Sequence, residues 1–366
     1  MNTSRSIFLR WLFALVLCGN LPAPAADKSV TSSLPDWVKP EEEAWISQRS
    51  GYATATYFIM RPMALTTLEE LQKLNPDLPK ALPNLATLLP GAKVSPKFKA
   101  FYDEKIRRFK AGDPLSDHDF FDCATMLELG KEGHRVLLWQ SDMDVDTDGS
   151  DPLRFKTIEQ YGSAYISHSF MPVLSYGWAK DTSDPNPILT HNEANAKSLH
   201  RLQKVLNDAT TNAEEVRLLK KINALFESQI DKCGAHRSDL VSRAFPLAEL
   251  DPFIVVPESW KNFRSEPVVP GTLAAVVVKD VIYPCIVADT GDSYKTGEAS
   301  LKIARTVNPN ASGTNRALDA LGATYIVFPH APKVSGRVDY KSVREKVIAL
   351  ITETFGAPAA EHVHAW

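Results

Sequence analysis

Short apolar runs recur along the chain from residue 136 onward. They are Val136-Leu137-Leu138-Trp139, Phe253-Ile254-Val255-Val256, Leu273 to Val278, Val281 to Val287 and Tyr325-Ile326-Val327-Phe328. Each is β-branched or aromatic and is bounded by Gly, Pro or Asp, which predicts strands. Few helical stretches separate them, so a compact β-barrel or sandwich core is expected rather than a parallel α/β sheet. Helical spacing occurs elsewhere. Leu65 to Leu71 opens a helix with Thr before two acids, and Pro76, Pro79 and Pro83 break it. Lys97 to Lys110 interleaves Phe98, Phe101, Tyr102 and Phe109 with basic residues, which predicts an amphipathic helix with a solvated basic face. Residues 192–232 read as a helical hairpin. Leu199, Leu202, Val205, Leu206 and Ala209 share one face, a Thr211/Glu214 capping box comes next, and Val216, Leu219, Ile222, Leu225 and Phe226 continue the pattern. Residues 339–355 form a last amphipathic helix stopped by Gly356. The expected class is α+β. A leader (1–26) and a mainly helical region (27–130) precede a barrel domain (131–335) with a helical insertion (190–240). A C-terminal helix and tail (336–366) close the chain.

Composition narrows the classes. The chain has 366 residues, 44% hydrophobic and 23% charged, the balance of a folded globular protein. The net charge of −3 gives no electrostatic footprint for nucleic acid. Arg5 and Arg10, the apolar Trp11 to Cys18 and the small-x-small Ala23-Pro24-Ala25 read as a secretory signal. Its removal takes two Arg and no acid, so the mature charge is −3 − 2 = −5. A secreted protein, periplasmic or extracellular and without a membrane span, is expected. Cys123, Cys233 and Cys285 then remain, enough for one bridge at most and without a CxxC spacing. Nine His are scattered without an HExxH. No cofactor and no metal are expected.

The chemistry lies in the carboxylates. Asp142-Met143-Asp144-Val145-Asp146-Thr147-Asp148-Gly149 comes directly after a strand, and alternating Asp in extended chain places its carboxylates on one face. Asp144, Asp146, Asp148 and Gly149 also match the first half of an EF-hand calcium loop. The closing position, which needs a bidentate Glu, is Phe155. A solvated acidic turn is the plain alternative. Further on, the run Ile286-Val287-Ala288-Asp289-Thr290-Gly291 delivers Asp289 to a strand end. Gly297-Glu298-Ala299-Ser300 reads as a helix entry with Glu298 in the first turn. Two such platforms can hold the carboxylate pair that glycosidic hydrolysis requires. The same residues also suit a turn Asp plus a Glu favoured by the helix dipole. Asp289-Thr290-Gly291 is, in addition, the tripeptide of aspartic proteases, whose chemistry needs two such Asp. The chain holds one, so only a homodimer could supply the second.

Together, the acidic strand Asp142 to Gly149, Phe253-Ile254-Val255-Val256-Pro257, Asp289-Thr290-Gly291 and Gly297-Glu298-Ala299-Ser300 resemble the chitosanases of glycoside hydrolase family 75, in order and in the nine-residue Asp-to-Glu interval. The resemblance implies a secreted endo-acting hydrolase that cleaves chitosan with inversion, with Asp289 and Glu298 as the essential pair. Thr147 stands where fungal members carry a Cys in or near the first motif. The Asp-Thr-Gly loop is also similar to that of double-psi β-barrel enzymes acting on peptidoglycan, which implies a six-stranded barrel and a second glycan substrate. On this reading Asp142, Asp144, Asp146 and Asp148 attract a polycationic amino-sugar polymer, with Thr290 and Tyr294 as further substrate contacts. Trp139, Tyr161, Tyr165, Trp178 and Tyr294 are candidates for stacking on sugar rings. A helix N-terminus would keep Glu298 ionised as the base, and desolvation would suit Asp289 to the acid role. A glycan-binding module without activity and an aspartic protease stay open, as does the oligomeric state.

Overall fold

The computed structural model describes residues 62–113, 115, 120–130, 135–149, 174–179, 244–263, 266–313 and 315–366, with backbone alone at 181–185 and 242–243. The leader, the hairpin expected over 192–232, Cys233, Tyr161 and Tyr165 lie outside the described residues.

The described residues form ten strands: β1 (Lys93–Val94), β2 (Cys123–Leu129), β3 (Val136–Asp146), β4 (Asp181–Pro185), β5 (Ser242–Arg243), β6 (Phe253–Pro257), β7 (Leu273–Val278), β8 (Val281–Gly291), β9 (Glu298–Ser300) and β10 (Leu318–Val327). The order β3-β10-β7-β8-β6-β9 closes on itself through β3–β9 pairing, which gives a six-stranded mixed barrel. The β6–β8 and β3–β9 pairs are parallel and the other barrel pairs antiparallel. β2 and β1 extend the sheet beyond β3, while β4 and β5 form a separate pair. The fold is therefore α+β with a barrel core, and each apolar run named above supplies a barrel strand.

Alternation sorts the side chains. Leu137, Trp139, Met143, Ile254, Val256, Val276, Cys285, Val287, Ala299 and Tyr325 point into one core. Trp139 stacks on Tyr325 at 5.1 Å and meets Trp260 edge-on at 5.1 Å. Trp139 is fully buried, so it cannot stack on a sugar ring. The Tyr325 hydroxyl lies 3.0 Å from the Asp142 carbonyl and 2.9 Å from that of Gly297, tying β3 to the turn before β9.

Helices pack around the barrel. α1 (Leu68–Leu74) starts at a Thr67/Glu70 capping box, and α2 (Leu78–Ala81) and α3 (Leu85–Leu88) are single turns. α4 (Pro96–Lys110) begins at the N-cap Ser95. Its basic residues are not all solvated as the sequence suggested, because Lys97 and Lys105 are buried. Each finds acids from distant segments, which helical periodicity cannot register. α5 (Leu301–Val307) comes directly after β9, and α6 (Tyr340–Phe355) buries Val343, Val347, Ile351 and Phe355 at four-residue spacing. Cys123 and Cys285 are buried free thiols. No helix among the described residues is long and apolar enough to cross a membrane.

Candidate active site

The closure of the barrel aligns the acids. Asp289 on β8 is in register with Val255 on β6, Val255 with Glu298 on β9, and Glu298 with Asp144 on β3. Registered residues share a face. Their neighbours Ile254, Val256 and Ala299 point into the core, so this row faces outward. A register shift between Ile254 and Val255 accompanies the turn of Asp289 onto that face. Gly291 leaves the space over Val255 open. A Cβ there would sit 3.3 Å from Val255 Cγ1 and 3.7 Å from Glu298 Oε2.

Glu298 lies in a strand, not in the first turn of a helix. The helix begins three residues later, where Ser300 caps α5 by accepting from the Ile303 N–H. β9 pairs on both sides, with β3 and β6, and this long-range pairing overrides the local helix signal. The dipole argument for an ionised Glu298 falls with it. The carboxyl is instead pushed up to about 7, first by desolvation, then by the charges of Asp144 and Asp289.

Asp289 is 7% exposed. Its Oδ1 accepts from the Ser175 N–H at 3.0 Å, the Thr290 N–H at 2.8 Å and the Ser175 hydroxyl. Burial raises its pKa, and these three donors hold it back. Ser175 Oγ also lies 3.1 Å from Thr290 Oγ1. Ser175 has no motif signature, since it reaches Asp289 across 114 residues of chain.

The four acids of the first cluster separate into different roles. Asp142, Asp144 and Asp146 alternate with the core residues Met143 and Val145, so they share the outer face of β3. Asp144 is half-buried and its Oδ1 takes the Nε–H of Arg316. Asp142 is fully buried, with Arg316 Nη1 3.7 Å from its Oδ2, and it is pushed up to about 9 by desolvation and then by Asp122 and Asp144. Full burial removes Asp142 from direct substrate contact, contrary to the expectation from alternation. Its cover includes Gly297, whose φ is +85° and where a Cβ would fall 2.5 Å from Asp142 Oδ1. Asp146 is 3% exposed, and its Oδ1 accepts the Asp148 N–H at 2.6 Å. Desolvation, then Asp148, Glu298 and Asp289, push it well above the ordinary carboxylate range. One carboxylate oxygen each from Asp146, Asp148 and Asp289 lies within 4.8 Å of the others.

The loop between β8 and β9 is braced by α4. Lys105 Nζ lies 2.7 Å from Asp122 Oδ1, both groups buried, and Asp122 Oδ2 accepts the Thr296 N–H at 3.3 Å. Arg108 stacks 4.1 Å over the Tyr294 ring, which is itself partly buried against the core. Trp178 is half-buried, 6.3 Å from the Tyr176 ring. Arg316, Asp122, Lys105 and Ser175 carry no motif signal, because each acts through a partner remote in sequence.

A protein-family model described as fungal chitosanase of glycosyl hydrolase group 75 matches residues 143–356. The matched stretch runs from within β3 to just past α6. It holds Asp144, Asp146, Asp148, Asp289, Glu298 and Arg316, and leaves Lys105, Asp122 and Asp142 outside. No curated protein matches the chain.

Proposed function

Since the chain belongs to the fungal chitosanases of glycosyl hydrolase group 75, we propose that it is an inverting, endo-acting hydrolase of the β-1,4 bonds of chitosan. By family it is a glycoside hydrolase, and its substrate is a polysaccharide. The observation that carries the finer reading is the row Asp289–Val255–Glu298. One intervening strand holds the two acidic backbones apart, and the curvature of the barrel keeps the gap below about 9.6 Å, twice the spacing of neighbouring strands. Inversion needs room for a water between acid and base, with carboxyls roughly 6.5–9.5 Å apart.

The environments divide the labour. Glu298, pushed up to about 7, keeps its proton below that value and on about half of the molecules at neutral pH, which suits it to the general acid role. Asp289 has three donors on Oδ1, which favour its anion, and it is the general base. This reverses the roles expected from a helix dipole. In the reaction Glu298 gives its proton to the leaving glycosidic oxygen. Asp289 takes a proton from the water that attacks the anomeric carbon on the opposite face. Asp144 and Asp148 supply negative charge beside this pair and draw the protonated amines of the polymer. The leader over 1–26 would export the enzyme to such a substrate.

The test incubates purified protein with chitosan, chitin and peptidoglycan and reads the products by mass. Internal cleavage of chitosan supports the reading. Cleavage of peptidoglycan alone, or of none, overturns it.

A further inference from the structure

We propose that Asp146, Asp148 and Asp289 form a binding site for a divalent cation, with calcium as its ligand, and that occupancy of this site switches catalysis off. The first observation is convergence. Three carboxylate oxygens from two strands and a turn lie within 4.8 Å of one another. For such a triangle, some point lies within about 2.8 Å of all three (4.8/√3).

The second observation is independent of the clustering. Asp146 is 3% exposed, and its Oδ2 is a buried oxygen with no hydrogen-bond partner. Its Oδ1 is already committed to the Asp148 N–H. A buried carboxylate oxygen left without a donor is costly, and a cation among the three acids would satisfy it. Asp289 is arranged to match. All three of its donors fall on Oδ1, so Oδ2 is the oxygen left for a ligand.

The donors are all oxygens, which selects hard cations such as calcium, magnesium or manganese. Calcium bonds at about 2.3–2.6 Å in flexible geometry, whereas magnesium demands near-octahedral ligands at about 2.0–2.1 Å. A loose triangle of carboxylates suits calcium. The Asp-rich segment thus has a closing acid after all. It does not come from position 155, where a contiguous calcium loop would place it, but from Asp289 on another strand. Asp144 is not a member, since its carboxylate is taken by Arg316.

Calcium binding stands on this geometry alone, while the switch rests on the proposed role of Asp289. A carboxylate engaged by a cation cannot accept the proton of the attacking water. Isothermal titration of the metal-stripped full chain with calcium chloride tests the binding without any substrate. The expected result is one site per chain with a Kd between about 10⁻⁵ and 10⁻³ M. Binding should weaken at least tenfold in Asp146→Asn and in Asp148→Asn, and magnesium should bind at least tenfold more weakly than calcium. Asp148 is half-buried in a turn, so its variant decides the matter if Asp146→Asn does not fold. No saturable heat up to about 10 mM calcium, or unchanged binding in the variants, overturns the site. Magnesium binding as tight as calcium overturns the choice of ligand. In a parallel assay, chitosan cleavage should fall with calcium, half-maximally at the calorimetric Kd. Undiminished cleavage at saturating calcium overturns the switch. A wild-type chain that binds calcium but never cleaves chitosan would instead sink the functional reading and leave the site standing.

Discussion

Among the described residues, two clusters of carboxyls are wholly or partly buried, and they are built on opposite principles. In one, Glu128 and Glu266 are matched by Lys97, Arg135 and His330. Arg135 Nη1 lies 3.1 Å from Glu128 and 3.8 Å from Glu266, and His330 Nε2 lies 3.7 Å from Glu266. Ser95 Oγ donates to Glu128 at 2.8 Å. Acid and base are near balance, as a cluster serving the fold requires. In the other, the described residues gather Asp142, Asp144, Asp146, Asp148, Asp289 and Glu298, with Arg316 beside Asp142 and Asp144, and the acids repel one another's charge. An excess of acid on a sheet face costs stability. It is explicable as a place where a proton, a polymer amine or a cation belongs.

The largest contrast should appear in turnover. Asp289→Asn and Glu298→Gln should each lower chitosan cleavage at least about 10²-fold with no loss of melting temperature. Glu266→Gln should leave it within about twofold, as initial-rate assays would show. The matched cluster should answer through stability. Lys97→Met removes a buried cation that faces Glu266 and Glu128, and urea unfolding should record a loss of about 3 kcal/mol while kcat of the folded fraction stays near wild type.

The next effect is on pH. As the proposed general acid, Glu298 would work below about 7, so kcat/KM should fall as pH rises through that value. Asp144→Asn removes one of the charges that raise Glu298 and should move this limb to lower pH. A limb that stays put would show that Asp144 does not tune the acid. Glu298 and Asp142 also govern stability. Their folded pKa values lie above the unfolded ones, so the folded state binds more protons over the interval between. Stability is then greatest below the ordinary carboxylate range and is lost as pH rises, through about 7 for Glu298 and about 9 for Asp142. Melting curves should therefore fall from pH 5 to pH 8, and Asp142→Asn should flatten that slope. The smallest effect is substrate steering. Asp148→Asn should raise KM for chitosan a few-fold at low salt, and added salt should shrink the difference by screening.

Range decides how much of this is legible in the sequence. Continuous apolar runs bounded by Gly, Pro or Asp locate five of the six barrel strands, because that signal is carried within each strand. Thr67 with Glu70 and Gly356 mark helix ends, because caps are local too. Asp289 and Glu298 stand out only through their combined spacing with other motifs. What distinguishes their environments is hidden. The row Asp289–Val255–Glu298–Asp144 exists only once β6 and β9 slot between β8 and β3. Glu298 reads as helical because a helix does start at Leu301, capped by Ser300, yet pairing with two strands outweighs that preference over three residues. Lys105 reads as a surface charge because its partner Asp122 lies seventeen residues away, beyond any helical contact.

The central claim is that Glu298 and Asp289 work across a gap wide enough for water. Proton NMR of the first sugar released from a chitosan oligomer, recorded before mutarotation, tests it most directly. An inverting pair predicts the α-anomer as the initial product. Initial release of the β-anomer would mean retention through a covalent intermediate, and would contradict the roles assigned to both residues.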